Sequence, residues 1–318
     1  MKKGYLLLTV AVLSMTIIFS CRKDDSIGPD AIPERDRGEE ATFAQGEIET
    51  FLETHFYNYE EFQNPPAGFD FKIRFDTIAG DNADKTPLTS QVSFKMVPDR
   101  IEEDVIYKLY YLMVDEGEGE EVTFPDTVTM TYEGSYIVGV DADDSDPDND
   151  TFSYNEVFET QNVSLRLDLT GTINGFQDGL IEFNGATDVI TNPDGTLSFE
   201  GFGIGAVFIP SGLGYFIMPP PSGEIPVYAQ LIFTFQVYDA EVGDQDNDGI
   251  ISILEDLNGN GIEEDDDSDQ DGAFNLFDPD DDDDGRLTRD EIEIDNDGNV
   301  TFPDVDGDGT PDYLDPDS

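Results

Sequence analysis

The sequence predicts an α+β protein, and three of its features do so. Between residues 104 and 242, aromatic and β-branched residues gather in short runs: VIYKLYYLMV, VTMTYEGSYIVG, VSLRLDL, GAVFIP and LIFTFQVYDA. Such runs suit the strands of an antiparallel sheet. One segment among them, GFQDGLIEF from Gly175 to Phe183, has the spacing of a short helix for that sheet to pack on. Upstream, Ile48, Phe51, Leu52, Phe56 and Tyr59 recur at helical spacing. Phe69, Phe71, Ile73 and Phe75, then Val92, Phe94 and Met96, alternate with polar residues as half-buried strands do. The expected order is a polar tether over 21–45, then an N-terminal α+β region or extra strands over 46–103. A sheet domain follows over 104–242, and a tail over 243–318. DADDSDPDND at 141–150 and the NPDG turn at 192–195 interrupt the sheet domain.

The charge balance excludes several function classes. The 318 residues carry 73 Asp and Glu against 15 Lys and Arg, a net charge of −58. Such a surface repels nucleic-acid phosphates and anionic headgroups, and it attracts divalent cations. Residues 244–318 hold 29 of the acids, with Arg286 and Arg289 as their only cations. That stretch would repel itself open unless counter-ions neutralise it. His55 is the single histidine and reads as incidental, not as a general base.

MKKGYLLLTVAVLSMTIIFSC opens with two lysines, then an apolar run too short to span a bilayer comfortably. Its end resembles a bacterial lipobox, with Ile18 at −3, Ser20 at −1 and Cys21 at +1, although Phe19 at −2 is bulky for the pattern. The resemblance implies removal of residues 1–20 and a lipid anchor on Cys21, the only cysteine. Arg22 in place of an acid implies the outer membrane of a cell envelope, on a face left open. A lone cysteine makes no internal disulfide, so stability rests on the core and on metal.

Five motifs across the sheet domain occur in the order found in FKBP-type prolyl isomerases. VTMTYEGSYIVG resembles the strand carrying that family's Tyr-x-Gly, and VFE at 157–159 its Phe-Asp pair. TINGFQDGL at 172–180 resembles its helix entry, FIPSGLGYF at 208–216 its Ile-Pro turn, and IPVYAQLIFTFQV at 225–237 its last strand. The resemblance covers less than half of the chain. It implies a site made by Tyr132, Phe158, Glu159, Thr172, Ile173, Phe176, Tyr215, Ile225 and Phe233. The expected activity is cis–trans isomerisation of X-Pro bonds in polypeptide clients, with no catalytic cofactor. In that family the substrate carbonyl is held by the backbone N–H at the place of Ile173 and the phenol at that of Tyr215. Glu159 replaces the family Asp, Phe176 the Trp, and Phe216 stands where a Gly follows the Tyr.

The tail repeats D-x-[DN]-x-[DN]-G. DQDNDGIISILE reads as a calcium loop with Asp244, Asp246, Asp248, Ile250 and Glu255 as ligands. DDDDDGRLTRDE does the same through Asp280, Asp282, Asp284, Arg286 and Glu291, where position 7 ligates by its carbonyl. Weaker copies place Asp256, Asn258 and Asn260, then Asp267, Asp269 and Asp271, then Asp304, Asp306, Asp308 and Asp315. Calcium takes six to eight hard oxygens, which alternate side chains of a Gly-turned loop supply. The copies abut too closely for the flanking helices of EF-hands and resemble thrombospondin type 3 repeats. Leu254, Phe274, Leu276, Phe277 and Leu314 are the expected apolar anchors. Two functions follow: an envelope-anchored isomerase with a structural calcium tail, or an inactive FKBP-like binding lipoprotein that uses the tail for adhesion.

Overall fold

The computed structural model describes residues 33–141, 150–296 and 298–318. Cys21 and the lipobox-like segment lie outside the described residues, as does nearly all of the 141–150 insertion. Residues Arg35–Ser318 form one of two units into which the chain divides, Met1–Glu34 being the other.

The larger unit is α+β, as expected. Helix α1 (Arg37–Thr54) leads into strand β1 (His55–Tyr57), helix α2 (Tyr59–Gln63) and strand β2 (Phe75–Thr77). Strands β3 (Ser93–Pro98), β4 (Ile106–Asp115), β5 (Thr127–Asp141) and β6 (Asp150–Asp168) follow, then helix α3 (Asn174–Leu180). A small hairpin of β7 (Asp188–Thr191) and β8 (Leu197–Glu200) closes through the NPDG turn, where the Gly195 N–H donates to the Asn192 carbonyl at 2.9 Å. Strands β9 (Gly203–Ile209) and β10 (Leu231–Glu241) complete the main sheet, ordered β3-β4-β9-β10-β5-β6. Every neighbouring pair in it is antiparallel.

Both faces of the sheet centre are covered. Val207 and Ile209 of β9, with Leu231, Phe233, Phe235 and Val237 of β10, pack on Phe176 and Leu180 of α3. On the other face Ala206, Phe208 and Ile232 meet Ile48, Phe51 and Leu52 of α1. Burial on both sides explains why β9 reads as a continuous apolar run instead of an alternating one.

Three expectations are corrected. The tether does not run to residue 45, because α1 starts at Arg37, with Asp36 capping it through a 2.9 Å bond from the Glu39 N–H. Its buried stripe of Arg37, Glu40, Ala44, Ile48 and Phe51 begins with two charged residues, which hid it from a search for apolar periodicity. Phe69, Phe71 and Ile73 do not form a strand. Phe71 has φ of 55° and clusters with Phe69 and Phe62, while the Asp70 carbonyl accepts from Gln236 Nε2 at 2.8 Å. The boundary drawn at 103 falls inside the β3–β4 hairpin: Phe94 and Met96 lie in an edge strand of the main sheet with Val92 just before it, which agrees with the alternative of extra strands on the sheet domain.

The tail is a chain of loops with short 3₁₀ turns and one small hairpin, β11 (Glu293–Ile294) with β12 (Val300–Thr301). Of the expected anchors only Leu276 is fully buried; Leu254, Phe274 and Phe277 are exposed. Ile250, Ile292 and Tyr313 form the small core, with Leu314 packed against it. The tail joins the sheet domain where the Gly243 N–H donates to Asp126 at 3.2 Å and Gln245 Nε2 to the Pro125 carbonyl at 2.6 Å.

Candidate functional site

The bend of β6 creates the candidate site. Glu159 pairs with Gly134 and Val157 with Ser135, so Phe158 is an extra residue in a bulge. A bulge breaks the alternation of side chains, and both Phe158 and Glu159 line the same depression. Gly134 lies opposite Phe233 of β10. A Cβ there would sit 2.6 Å from the Phe158 ring and 2.9 Å from that of Phe233, so only glycine leaves room for the two rings. They meet edge-on at 5.8 Å, and Phe233 packs at 5.1 Å on Phe176 and 6.0 Å on Tyr132.

Tyr132, Glu159, Thr172, Ile173, Phe176, Tyr215 and Phe233 line a cavity of about 290 Å³, together with Leu167 and Gly171. An adjoining depression of about 260 Å³ is lined by Phe158, Glu159, Tyr215 and Ile225, with Pro220, Ser222 and Glu224. The nine residues singled out from the sequence therefore lie around two adjacent hollows that share Glu159 and Tyr215. Alternation along β6 could have found Leu167; the loop residues Pro220, Ser222 and Glu224 carry no pattern that marks them.

Local structure fixes the entry to α3. The Ile173 carbonyl accepts from the N–H groups of Phe176 and Gln177 at 2.9 and 3.2 Å, starting the helix. Buried Gln177 reaches back through Nε2 to the carbonyls of Leu169 and Thr172 at 2.9 and 3.2 Å, fastening the turn in front of it. The Ile173 N–H has no acceptor among the described residues. Burial and a hydrogen bond to Glu159 push the Tyr132 phenol up to about 12, and burial and the Glu159 charge also raise that of Tyr215. Both phenols are therefore neutral donors across the physiological range. The walls are largely aromatic, with Glu159 as the one charged side chain of the larger hollow and Glu224 joining it at the adjoining depression, which suits a neutral ligand with a carbonyl.

His55 is buried and stacked on Phe51 at 3.9 Å, far from these hollows in sequence and layer. A third cavity, of about 130 Å³, involves the alternate residues Thr131, Glu133, Thr234 and Gln236 of the same strands, with Lys72 and Arg74. Both cations there are already engaged, Lys72 with Asn162 and Arg74 with Asp70.

In the tail, carboxylate oxygens lie within 4.8 Å of one another in Asp244/Asp246/Asp248, Asp267/Asp269/Asp271, Asp280/Asp282/Asp284 and Asp304/Asp306/Asp308. The sixth residues Gly249, Gly272, Gly285 and Gly309 have φ between 93° and 107°, a turn that resists side chains. The fifth-position acid of each loop accepts from the seventh N–H: Asp248 from Ile250, Asp271 from Ala273 and Asp308 from Thr310 at 2.7–2.8 Å, Asp284 from Arg286 at 2.6 Å. A ninth-position side chain, unnoticed in the sequence, closes each of the four. Ser252, Asn275, Thr288 and Asp312 accept from the second N–H of the loop at 3.3, 3.0, 3.2 and 2.8 Å.

A fifth cluster joins two loops: Asp248 and Glu255 of the loop that starts at Asp244 meet Asp281 of the one that starts at Asp280, all three buried. Asp281 was not among the expected ligands, because it occupies the second position of its own loop; Thr288 orients it through a 2.9 Å bond. Other expected ligands have these neighbours. The Arg286 guanidinium lies 2.9 Å from Glu291, which leaves its carbonyl, the expected ligand atom, out of that contact. Asn258 and Asn260 donate to Asp265 at 2.8 Å, and Asp256 accepts from the N–H groups of Gly259, Asn260 and Gly261. Asp315 is not in the cluster of Asp304, Asp306 and Asp308; its charge acts on Asp282.

These acids are crowded and dry. Buried oxygens without a hydrogen-bond donor include Asp244 Oδ1, Asp246 Oδ2, Asp248 Oδ2, both oxygens of Glu255, and Asp281 Oδ1. Burial, then the charges of Asp246 and other neighbours, push Glu255 up to about 9. Burial and the Asp248 charge lift Asp281 to about 8 and Asp246 to about 7. A hard divalent cation fits these orphaned oxygens, which otherwise cost about 1–3 kcal/mol each.

No protein-family model matches the chain, and no curated protein sequence matches it. Solved structures similar to it include FkpA from Escherichia coli, at 21% identity over 46% of this chain and 51% of that one. A peptidyl-prolyl cis-trans isomerase from Pseudomonas syringae pv. tomato matches at 15% identity over 42% of this chain and 75% of that one. A multi-domain immunophilin from Arabidopsis thaliana matches at 13% over 44% and 45%. Each has a TM-score of 0.29. The chain spans about half the length of FkpA and of the immunophilin.

The raised carboxyls set a pH dependence for the cation-free tail. Unfolded carboxyls titrate near 4, so the folded tail binds more protons between about pH 4 and 9 and its stability falls as pH rises through that window. In chelator, urea titration followed on the Ile250 and Ile292 methyl resonances should give a higher midpoint at pH 5 than at pH 9. Equal midpoints, or the reverse order, would mean that these carboxyls are not buried together.

Proposed function

We propose that the sheet domain is an FKBP-type peptidyl-prolyl isomerase. The observation that carries this reading is the gathering of Tyr132, Phe158, Phe176, Tyr215 and Phe233, from three strands, a loop and a helix, around two adjoining aromatic hollows. Isomerisation breaks no covalent bond; it crosses a torsional barrier of about 18–20 kcal/mol set by amide resonance. The planar amide is more dipolar than the twisted one, so an apolar pocket disfavours the ground state more than the transition state. Phe233, Phe176 and Tyr132 would enclose the proline ring, while the Ile173 N–H and the Tyr215 phenol would hold the preceding carbonyl. No proton moves, so rates on proline tetrapeptides should be nearly flat between about pH 6 and 8, where no site group has its ordinary pKa. Phe233→Ala should reduce kcat/KM by at least about tenfold by letting water reach the amide. Tyr215→Phe removes one hydrogen bond of about 0.5–1.5 kcal/mol and should cost about two- to tenfold. Absence of acceleration by the folded chain across several X-Pro peptides would leave the binding-module reading in its place.

We also infer that the tail holds structural calcium, through the loops beginning at Asp244, Asp267, Asp280 and Asp304 and through the Asp248–Glu255–Asp281 cluster. Affinities of roughly 10⁻⁴–10⁻³ M are ordinary for extracellular calcium modules. Calorimetric titration of the full chain should show weaker or fewer calcium sites in Asp281→Asn than in Asp283→Asn, whose side chain is exposed. Identical titrations for the two variants and the parent would remove Asp281 from the ligand set.

The third part of the proposal is an anchor: lipid on Cys21 would tether the protein to the envelope, with the outer membrane as the expected site and proline-containing polypeptides as clients. Buried acyl chains contribute about 0.8 kcal/mol per CH₂, and two or more give stable attachment. Cell fractionation should find Cys21→Ser in the soluble fraction. Retention equal to the parent would rule out this anchor.

A further inference from the structure

The start of α1 places charged side chains where a surface helix rarely does. Arg37 is 8% exposed and Glu40 1%. Burying charges, even in ion pairs, costs much of what the attraction returns, so stability alone is a weak reason for it. What the two residues touch gives a stronger one. Glu40 Oε1 accepts from the Ser211 hydroxyl at 2.8 Å, and Oε2 pairs with Arg35 at 2.6 Å. The Arg37 guanidinium pairs with buried Asp99, to which the Tyr107 hydroxyl also donates at 3.0 Å, and its flat face lies 4.2 Å from the ring centre of Phe216.

Ser211 and Phe216 bracket the loop that carries Tyr215. The Phe216 N–H donates to the Ser211 carbonyl at 2.9 Å, and the Phe216 carbonyl accepts from the Tyr228 N–H at 2.7 Å. Phe216 and Tyr228 both have left-handed backbones, with φ of 49° and 60°. Side chains other than glycine resist that region and persist in it only when their surroundings over-determine them. Here the surroundings come from the first turn of α1 and the residues just before it. Phe216 and Tyr228 stack edge-on at 5.0 Å, Arg37 covers the first and Arg35 the second, at 4.3 Å. The far end of the loop is held as well: Gln230 accepts from the Ser211 N–H at 2.7 Å and donates to Glu47 of α1 at 2.9 Å.

We propose that Arg37 and Glu40 are positioning residues for the isomerase site, fixing Tyr215 and Ile225 by clamping the 211–228 loop to α1. The inference rests on the isomerase reading and gives α1 a role in it. Arg37 sets the plane of Phe216, and with it the direction in which the neighbouring Tyr215 leaves the chain. Glu40 sets the origin of the loop at Ser211.

The test uses the full chain labelled with 3-fluorotyrosine, the Tyr215 line being identified by its loss in Tyr215→Phe. Glu40→Ala and Arg37→Lys are compared with Leu52→Ala, a core change on the same helix away from the loop. Glu40→Gln, which keeps an oxygen for Ser211, serves as the conservative rescue. Expected in Glu40→Ala are a fall in kcat/KM of at least tenfold and a shifted or broadened Tyr215 line. Glu40→Gln should recover to within threefold, Arg37→Lys should fall between, and folded Leu52→Ala should match the parent in both readouts. Parent-like turnover and an unmoved Tyr215 line in folded Glu40→Ala overturn the proposal. So does an equal loss in Leu52→Ala, or a loss of turnover with the Tyr215 line unchanged. If the parent itself shows no turnover while the Tyr215 line still moves in Glu40→Ala and Arg37→Lys but not in Leu52→Ala, the isomerase reading fails and the clamp on Tyr215 stands.

Discussion

Burial of the central strands on both faces is the constraint from which the arrangement of the sheet domain follows. Every residue of β9 is buried, so the sheet needs a cover on each side. Short α3 supplies one and long α1 the other. A helix of seven residues is too short to be stable by itself, so α3 keeps its shape only while Phe176 and Leu180 are held by β9 and β10. The entry to α3 carries Thr172 and Ile173. The cavity is therefore as rigid as the packing of α3 on β9 and β10 beneath it.

The same dependence explains why the site is made of aromatics and a glycine. The Phe233 ring meets those of Phe176, Phe158 and Tyr132 at 5.1–6.0 Å, and Tyr132 meets Phe176 at 6.5 Å, all in edge-on or tilted contacts. Such geometry contributes about 0.5–1.5 kcal/mol per pair beyond area burial. It closes only because Gly134 removes a Cβ and the β6 bulge turns Phe158 and Glu159 toward one side. Local irregularity of the sheet and chemistry of the site are one feature.

Much of this was legible in the sequence, and the failures have physical causes. The strands of the sheet and α3 could be read because β-branched and aromatic runs bounded by turn residues carry a local signal. The nine residues around the hollows came from motif order, which needs no long-range contact to be recognised. The start of α1 escaped because its buried stripe opens with Arg37 and Glu40, whose partners Asp99 and Ser211 lie 62 and 171 residues away. Alternation at Phe69, Phe71 and Ile73 imitated a strand, but Phe69 and Phe71 pack on Phe62, and only Phe75 enters a strand, paired with β1. Asp281 escaped for a further reason: its loop position carries no ligand in an isolated repeat, and only the meeting of two loops gives it Glu255 and Asp248 as neighbours.

The tail solves the problem of its own charge by another route than the sheet domain. Its apolar core is three residues, Ile250, Ile292 and Tyr313, far too small to offset the ordering of some seventy residues at about 1–2 kcal/mol each. Backbone N–H groups take one oxygen of most loop acids, and ninth-position side chains fasten the loop starts. These neutral bonds shape the loops but leave the net charge untouched. What remains are paired oxygens, buried and without donors, repelling one another across the Asp248–Glu255–Asp281 junction. Protons can relieve that repulsion below about pH 9, one charge at a time. A divalent cation relieves two charges at once and accepts several oxygens simultaneously, which no arrangement of N–H donors does. The geometry that makes the tail costly without a cation is the geometry that would make it selective for a hard divalent ion, because the orphaned oxygens converge within reach of one centre.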